Sequence, residues 1–127
     1  MKFPEDLRYT KNDEWIRVEG GSATVGLSDY AQDQLSDIVF VEILVEAGDA
    51  LEAGKPIASV ESVKASAEIY APASGKVSAV NKALADKPET INSDPYGAAW
   101  MIKIESNKEG ETMDAAAYEK YCVERAH

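Results

Sequence analysis

Apolar and polar positions alternate along much of this chain. Ala23, Val25 and Leu27 alternate with Ser22, Thr24 and Gly26, and Trp100, Ile102 and Ile104 alternate with Met101, Lys103 and Glu105. A period of two marks half-buried strands, because successive side chains of an extended backbone point to opposite faces. Shorter runs of the same kind predict strands at Trp15 to Val18, Ile38 to Val45, Ile57 to Glu61, Ala65 to Tyr70 and Lys76 to Val80. Turn formers separate them at Glu19-Gly20-Gly21, Ala47-Gly48-Asp49, Ala53-Gly54-Lys55-Pro56 and Ala71-Pro72-Ala73-Ser74-Gly75. Short strands at close spacing with Gly/Pro turns predict a mainly β sandwich or barrel rather than a βαβ sheet.

Two segments switch to helical spacing. Ser28 is placed to cap a short helix reaching Leu35, its hydroxyl accepting from an otherwise unpaired backbone N–H. From Asp114 onward Ala117, Tyr118, Tyr121, Cys122 and Arg125 share one stripe. That stripe predicts a C-terminal helix over about 114–125 that packs Tyr118, Tyr121 and Cys122 onto the β core. Between Ala83 and Ala99 little periodicity holds, and Asp86-Lys87-Pro88 and Asn92-Ser93-Asp94-Pro95 predict a long loop, functional or packed on itself. The 127 residues are read as a single domain, 1–127, with no repeat at a solenoid period.

Composition narrows the function. An apolar fraction of 45% and a charged fraction of 28% are those of a globular chain, which sets aside disorder and disulfide scaffolds. Lys and Arg number 13 against 23 Asp and Glu, a net charge of −10, which opposes phosphate backbones and anionic lipid. Neither nucleic acid nor membrane is an expected partner. One cysteine, Cys122, and one histidine, His127, leave no internal disulfide, zinc site or thiol-protease dyad to expect, and no metal. The longest apolar run, Ile38-Val39-Phe40-Val41, is far short of a membrane span, and acids appear by residue 5, so the chain reads as intracellular. No surplus apolar face is evident, which points to a monomer.

Charge is uneven. Residues 1–55 carry 5 bases and 12 acids, and Asp29, Asp33, Asp37, Glu42, Glu46, Asp49 and Glu52 fall in a stretch with no base between Arg17 and Lys55. Such a run is a solvated face or a surface that steers a partner.

The chemistry concentrates at about 57–70. Two strand-like runs meet at Ser62-Val63-Lys64-Ala65, so a tight hairpin sets Val63 and Lys64 at its tip. An exposed lysine is usually only solvated, but Val63 beside it is an apolar side chain that a turn tip cannot bury. A Schiff-base or general-base lysine needs its pKa lowered, whereas Glu61 and Glu68 favour the ammonium form. Catalysis by Lys64 is therefore not expected, and no other catalytic residue stands out. An accessible amine on a protruding turn suits covalent modification, so the chain reads as a carrier rather than an enzyme.

From about Leu7 to Tyr118 the sequence resembles the H proteins of the glycine cleavage system. The resemblance is carried by Tyr9-Thr10-Lys11, Glu14-Trp15, Val25-Gly26-Leu27, Asp29-Tyr30-Ala31-Gln32-Asp33, Asp37-Ile38-Val39-Phe40-Val41-Glu42, Glu61-Ser62-Val63-Lys64-Ala65, Tyr70 to Gly75, and Ile91-Asn92-Ser93-Asp94-Pro95-Tyr96-Gly97 followed by Trp100. It implies a barrel-sandwich hybrid fold of the lipoyl/biotinyl type and covalent lipoate on Lys64. It further implies that Glu61, Ser62, Val63, Ala65 and Gly75 belong to what lipoylating enzymes read, and that Glu14 and Glu68 lie near the cleft where the arm docks. Read without the resemblance, Glu14 is a solvated strand-edge acid and Gly75 a turn glycine needing a permissive φ.

The implied activity is a shuttle. The arm takes an aminomethyl group from the pyridoxal-phosphate glycine decarboxylase (P protein) to the folate-dependent aminomethyltransferase (T protein), and dihydrolipoamide dehydrogenase (L protein) reoxidises it. The implied setting is the bacterial cytoplasm, or the mitochondrial matrix for a processed organellar chain. The attachment motif is equally compatible with an H-like relay that donates lipoate to 2-oxoacid dehydrogenases. A biotinyl carrier is disfavoured, since that family places Met on both sides of its lysine and here Val63 and Ala65 stand there.

Three departures from the family pattern stand out. Asp13 replaces the usual His before Glu-Trp, Gln34 stands where the family often has a polar or charged residue and Ser36 where it has a glycine after the leucine, and Glu42 to Glu46 lacks the usual Pro and is one residue longer than usual, which predicts a bulge or extended turn there.

Overall fold

The computed structural model describes residues 1–105 and 112–125. The elements run β1 (Arg8–Tyr9), β2 (Glu14–Glu19), β3 (Ser22–Leu27), α1 (Asp29–Leu35), β4 (Ile38–Ile43), β5 (Ala50–Leu51), β6 (Pro56–Ser62), β7 (Ser66–Tyr70), β8 (Gly75–Val80), α2 (Ala83–Asp86), α3 (Thr90–Ser93), β9 (Ile102–Glu105) and α4 (Ala115–Arg125). Strands β1-β2-β3-β9-β8-β5 form a six-stranded sheet and β4-β6-β7 a three-stranded one. Every pairing of neighbouring strands is antiparallel.

The alternating residues face inward as expected. Ile16, Val25, Val41, Val60, Ile69, Val77, Ile102 and Ile104 contribute to one buried cluster fed by both sheets. A second cluster gathers Leu7, Tyr9, Trp15 and Tyr30 with Ala115, Tyr118 and Cys122 of α4. There the Tyr9 and Tyr118 rings stack at 4.5 Å. Tyr121, on the same stripe, is only half-buried.

Four expectations need correction. Residues 83–99 are not one loop, because α2 and α3 each make a single helical turn that buries Leu84 and Ile91. Trp100 and Met101 reverse the predicted facing: strand β9 begins at Ile102, Met101 is fully buried and Trp100 lies half-buried beneath the Lys103 ammonium at 5.1 Å. Of the bulge or extended turn expected at Glu42–Glu46, the chain makes a turn there, leaving β4 after Ile43 and closing with the Asp49 amide on the Glu46 carbonyl at 3.1 Å, while the bulge lies earlier. Ile38 pairs with Ser62 and Phe40 with Glu61, so Val39 is the extra residue of β4. Because a bulge breaks the two-residue alternation, Val39 and Phe40 both face outward, exposed at 54% and 46%. That is the fourth correction, since β4 thereby offers a surface apolar strip that the sequence did not announce.

No helix among the described residues is long and apolar enough to cross a membrane. Nor do the described residues bring together three His, Cys, Asp or Glu side chains that could hold a metal.

Candidate functional site at the hairpin tip

Strands β6 and β7 form the hairpin, closing with Glu61 opposite Ser66. The turn between them is held by a single hydroxyl. Ser62 Oγ accepts from the amides of Lys64 (3.1 Å) and Ala65 (2.9 Å) and donates to the Ala65 carbonyl (3.0 Å), while the Ser62 amide donates to that same carbonyl at 2.8 Å. A serine at the first turn position can thus satisfy amides that the sheet leaves unpaired. The Val63 amide donates to the Asp37 carbonyl at 3.0 Å, which ties the tip to the entrance of β4. With its backbone so occupied the turn leaves Val63 69% exposed, and Lys64 and Ala65 are exposed beside it.

Lys64 Nζ reaches across to the Gln34 carbonyl at 3.4 Å. Gln34 lies in the last turn of α1, where carbonyls lack intrahelical partners and the helix dipole favours a cation. Beside this contact a cleft of about 170 Å³ opens between α1, the turn ahead of β2, and β7. Leu27, Ala31, Leu35 and Ile69 form its apolar walls, and Asn12, Gln34 and Glu68 its polar rim. Glu68 is exposed there, and Glu61 is exposed at the base of the turn.

Glu14 departs from the solvated strand-edge reading. It is 1% exposed, so it is not a solvated strand-edge acid, and it lines a neighbouring pocket with Thr10, Ala53 and Pro72 rather than the cleft of Glu68. Asn12 borders both spaces. The Glu14 carboxylate accepts from the Thr10 hydroxyl (2.6 Å) and the Tyr70 amide (3.3 Å). Burial outweighs these two bonds and pushes its pKa up to about 7.

Gly75 is not brought to the turn. It opens β8 opposite Leu51 in the six-stranded sheet, and β7 lies between it and Lys64 along the chain. Among the described residues the glycines with positive φ are Gly20, Gly48 and Gly54, so the permissive-φ reading of Gly75 is corrected.

Sequence reasoning missed what holds α1. Its first turn is capped as predicted, Ser28 Oγ accepting from the Ala31 amide at 3.2 Å. Its last turn is clamped by Asn92 of α3, which donates to Gln32 Oε1 (2.9 Å) and the Ser36 carbonyl (2.8 Å) and accepts from the Ile38 amide (2.9 Å). The neighbouring Pro95 carbonyl accepts from the buried Trp15 indole at 2.8 Å, and Tyr96 Oη accepts from the Asp29 amide at 3.0 Å. The Asn92 to Tyr96 stretch, which the sequence marks as turn formers and as part of a family motif, is the support for the helix beside Lys64. Ser36, where the family pattern has glycine, takes φ 67° and ψ −150°, a conformation that suits glycine.

The family model described as glycine cleavage H-protein matches residues 7–125. The chain belongs to the glycine cleavage H-protein family. It is 51% identical to the glycine cleavage system H protein of Anaeromyxobacter sp. strain K, over 98% of this chain and 99% of that one. It is 49% identical to that of Bacillus cytotoxicus, over 95% and 94%. Its fold is similar to the crystal structure of a glycine cleavage system H protein from Mycobacterium marinum, with a TM-score of 0.86, 38% identity, and coverage of 93% of this chain and 97% of that one. The architecture is accordingly the lipoyl-type barrel-sandwich expected from the sequence, decorated with short helices and a C-terminal one.

Proposed function

We propose that this chain is the lipoyl carrier of a glycine cleavage system, with lipoate in amide linkage to Lys64. The observation that carries the reading is the position of the Lys64 amine, exposed on a turn whose backbone bonds are internally satisfied and within 3.4 Å of the Gln34 carbonyl at the lip of an apolar-walled cleft. A long, mostly aliphatic arm with a small polar end fits that cleft, because Leu27, Ala31, Leu35 and Ile69 suit its chain and Asn12 and Glu68 suit an amine at its tip. When attached, lipoate supplies the disulfide–dithiol couple that accepts an aminomethyl group and, later, electrons.

The protein's own residues do the rest. Ser62 holds the turn in the shape a lipoylating enzyme reads, with Glu61, Val63 and Ala65 displayed around the amine. The cleft walls exclude water from whatever lies against them, which slows hydrolysis of a reactive one-carbon unit. The exposed acids Asp37 and Glu42 flank the apolar strip of Val39 and Phe40 along the chain, Asp33 is exposed on α1, and together they would steer whichever of the P, T and L proteins presents a basic docking surface. Reversing charge at Asp33 and Asp37 should then weaken transfer and flatten its salt dependence, and unchanged rates would remove the acids from docking.

The test of the whole reading is intact mass with peptide mapping of protein from a lipoate-replete host, followed by glycine–bicarbonate exchange with purified P protein. A lipoyl increment on the Lys64 peptide, lost in Lys64→Ala, together with stimulated exchange, is expected. An unmodified Lys64 would overturn the attachment. A lipoylated chain that fails to stimulate exchange would transfer the protein to the relay role.

A further inference from the structure

We propose that Arg125 and Tyr118 of the C-terminal helix are positioning residues for the cleft beside Lys64, holding together the turn before β2 and the start of α1 through Asp13 and Ser28. The proposal concerns the cleft's geometry; its bearing on the lipoyl arm rests on the reading above.

Asp13 is the junction of these contacts. This residue lines the cleft and has φ 68°, a left-handed conformation that a non-glycine residue holds only when its surroundings fix it. Two groups from α4 fix its carboxylate. Arg125 grips it with a two-pronged fork, Nη2 on Oδ1 and Nη1 on Oδ2 at 3.3 Å, and Tyr118 Oη donates to Oδ1 at 2.8 Å. Backbone bonds complete the turn, since the Asp13 amide donates to the Thr10 carbonyl (3.1 Å) and the Ser28 amide to the Asp13 carbonyl (2.9 Å).

The direction of the side-chain bonds follows from chemistry. A carboxylate can only accept, so the Tyr118 proton is committed to Asp13. The 2.6 Å contact between Tyr118 and Ser28 must then have Ser28 donating, and Ser28 Oγ in turn accepts from the Ala31 amide at 3.2 Å. An ordered chain of donors thus runs between the α4 guanidinium and the first turn of α1. Two of its members, Asp13 and Ala31, line the cleft.

Arg125 is poorly explained as a mere anchor of α4. Ala115, Tyr118 and Cys122 already bury that helix against the second cluster. The Arg125 guanidinium instead lies over the rings of Tyr30 in α1 (4.8 Å) and Tyr121 (4.1 Å), and its buried Nε has no hydrogen-bond partner. A buried N–H without a partner is a cost, and the carboxylate fork with the two aromatic faces offsets it. Asp13 is only 20% exposed and Arg125 30%, so the pair is less screened than an ordinary surface ion pair.

The test uses the full chain without its arm, then with it. Amide hydrogen exchange by NMR is followed in Arg125→Gln, Arg125→Lys and Tyr118→Phe, with Lys120→Gln on the exposed side of α4 as control. Arg125→Gln is expected to speed exchange at Ser28 and Ala31 by about tenfold, the scale of one lost charge-assisted bond, while Ile102 and Ile104 stay protected. Tyr118→Phe should act in the same direction, Arg125→Lys should recover part of the loss, and Lys120→Gln should change nothing. Unchanged exchange at Ser28 and Ala31 in a folded Arg125→Gln overturns the proposal. Equal acceleration at Ile102 and Ile104 also overturns it, because the role is then general stability. If Arg125→Gln does not fold, Tyr118→Phe decides by the same two criteria.

Iodoacetamide alkylation of the reduced, lipoylated chain then separates the proposal from the docking reading. Faster alkylation in Arg125→Gln supports both. Faster exchange with unchanged alkylation upholds the positioning role and overturns docking of the arm in this cleft.

Discussion

The Thr10 hydroxyl donates a 2.6 Å hydrogen bond to the Glu14 carboxylate, in a pair that is almost wholly sealed from solvent. Thr10 Oγ1 also accepts from the Asn12 and Glu14 amides, at 3.2 and 3.3 Å, so the hydroxyl is the hub of the turn before β2. The acid is therefore fixed in place but poorly solvated.

Glu14 should make stability depend on pH. Burial raises its pKa from 4.5 to about 7, so the folded state favours the protonated acid. A group raised on folding contributes stability that is full below pH about 4.5 and is lost as pH rises through about 7. The difference amounts to about 3 kcal/mol. Urea unfolding of the parent and Glu14→Gln at pH 4.5, 6 and 8 is expected to show the variant gaining on the parent by that amount as pH rises. A constant difference between the two would mean that Glu14 ionises normally.

Ser36→Gly should stabilise the protein. Its φ of 67° with ψ −150° costs a side-chain-bearing residue about 1–3 kcal/mol, partly offset by the greater freedom of glycine in the unfolded chain. The backbone bonds there, Ser36 N to the Gln32 carbonyl and the Ser36 carbonyl to Asn92, do not need the side chain. A gain of about 1 kcal/mol in thermal or urea unfolding is expected. A loss would show that the serine hydroxyl matters more than the backbone strain.

Removing Asn92 should release the end of α1. Asn92→Ala deletes three hydrogen bonds at 2.8–2.9 Å, and two of the orphaned groups, the Ser36 carbonyl and the Ile38 amide, flank Asp37, whose carbonyl holds the Val63 amide. A destabilisation of about 2–3 kcal/mol is expected, with NMR shifts that reach Val63 and Lys64. Shifts confined to α3 would show that the clamp does not extend to the hairpin tip.

Gly26→Ala tests close packing. A Cβ at this position would fall 2.7 Å from the Trp15 indole, which is fully buried and donates to the Pro95 carbonyl at 2.8 Å. The ring must move to make room, and overpacking of this kind costs about 1–3 kcal/mol. Lower stability with altered Trp15 fluorescence is the expected result, and an unaltered spectrum would mean that the strands spread instead.

Much of the fold was legible along the chain. The alternation at Ala23 to Leu27 predicted β3, the hydroxyl of Ser28 predicted the start of α1, and the stripe at Tyr118 and Cys122 predicted the buried face of α4. The exposed tip at Val63 and Lys64 was legible too, since two strand-like runs four residues apart leave little but a turn between them. Where the reading went wrong, alternation had been interrupted. The bulge at Val39 and the late start of β9 at Ile102 shift the facing of residues whose own pattern is unchanged, because the partner strand sets the register.

The sequence by itself determined the longer strands, the helices α1 and α4 and which amine stands at a turn tip, because those depend on neighbours two to four residues away. Only the tertiary structure decided that Glu14 is buried, that Asn92 clamps α1 and that Asp13 meets Arg125. Those outcomes join residues 56, 60 and 112 positions apart in the chain. No local pattern encodes such meetings. Burial of an acid or the partner of a guanidinium is fixed by which distant groups the packed sheets bring within hydrogen-bonding distance.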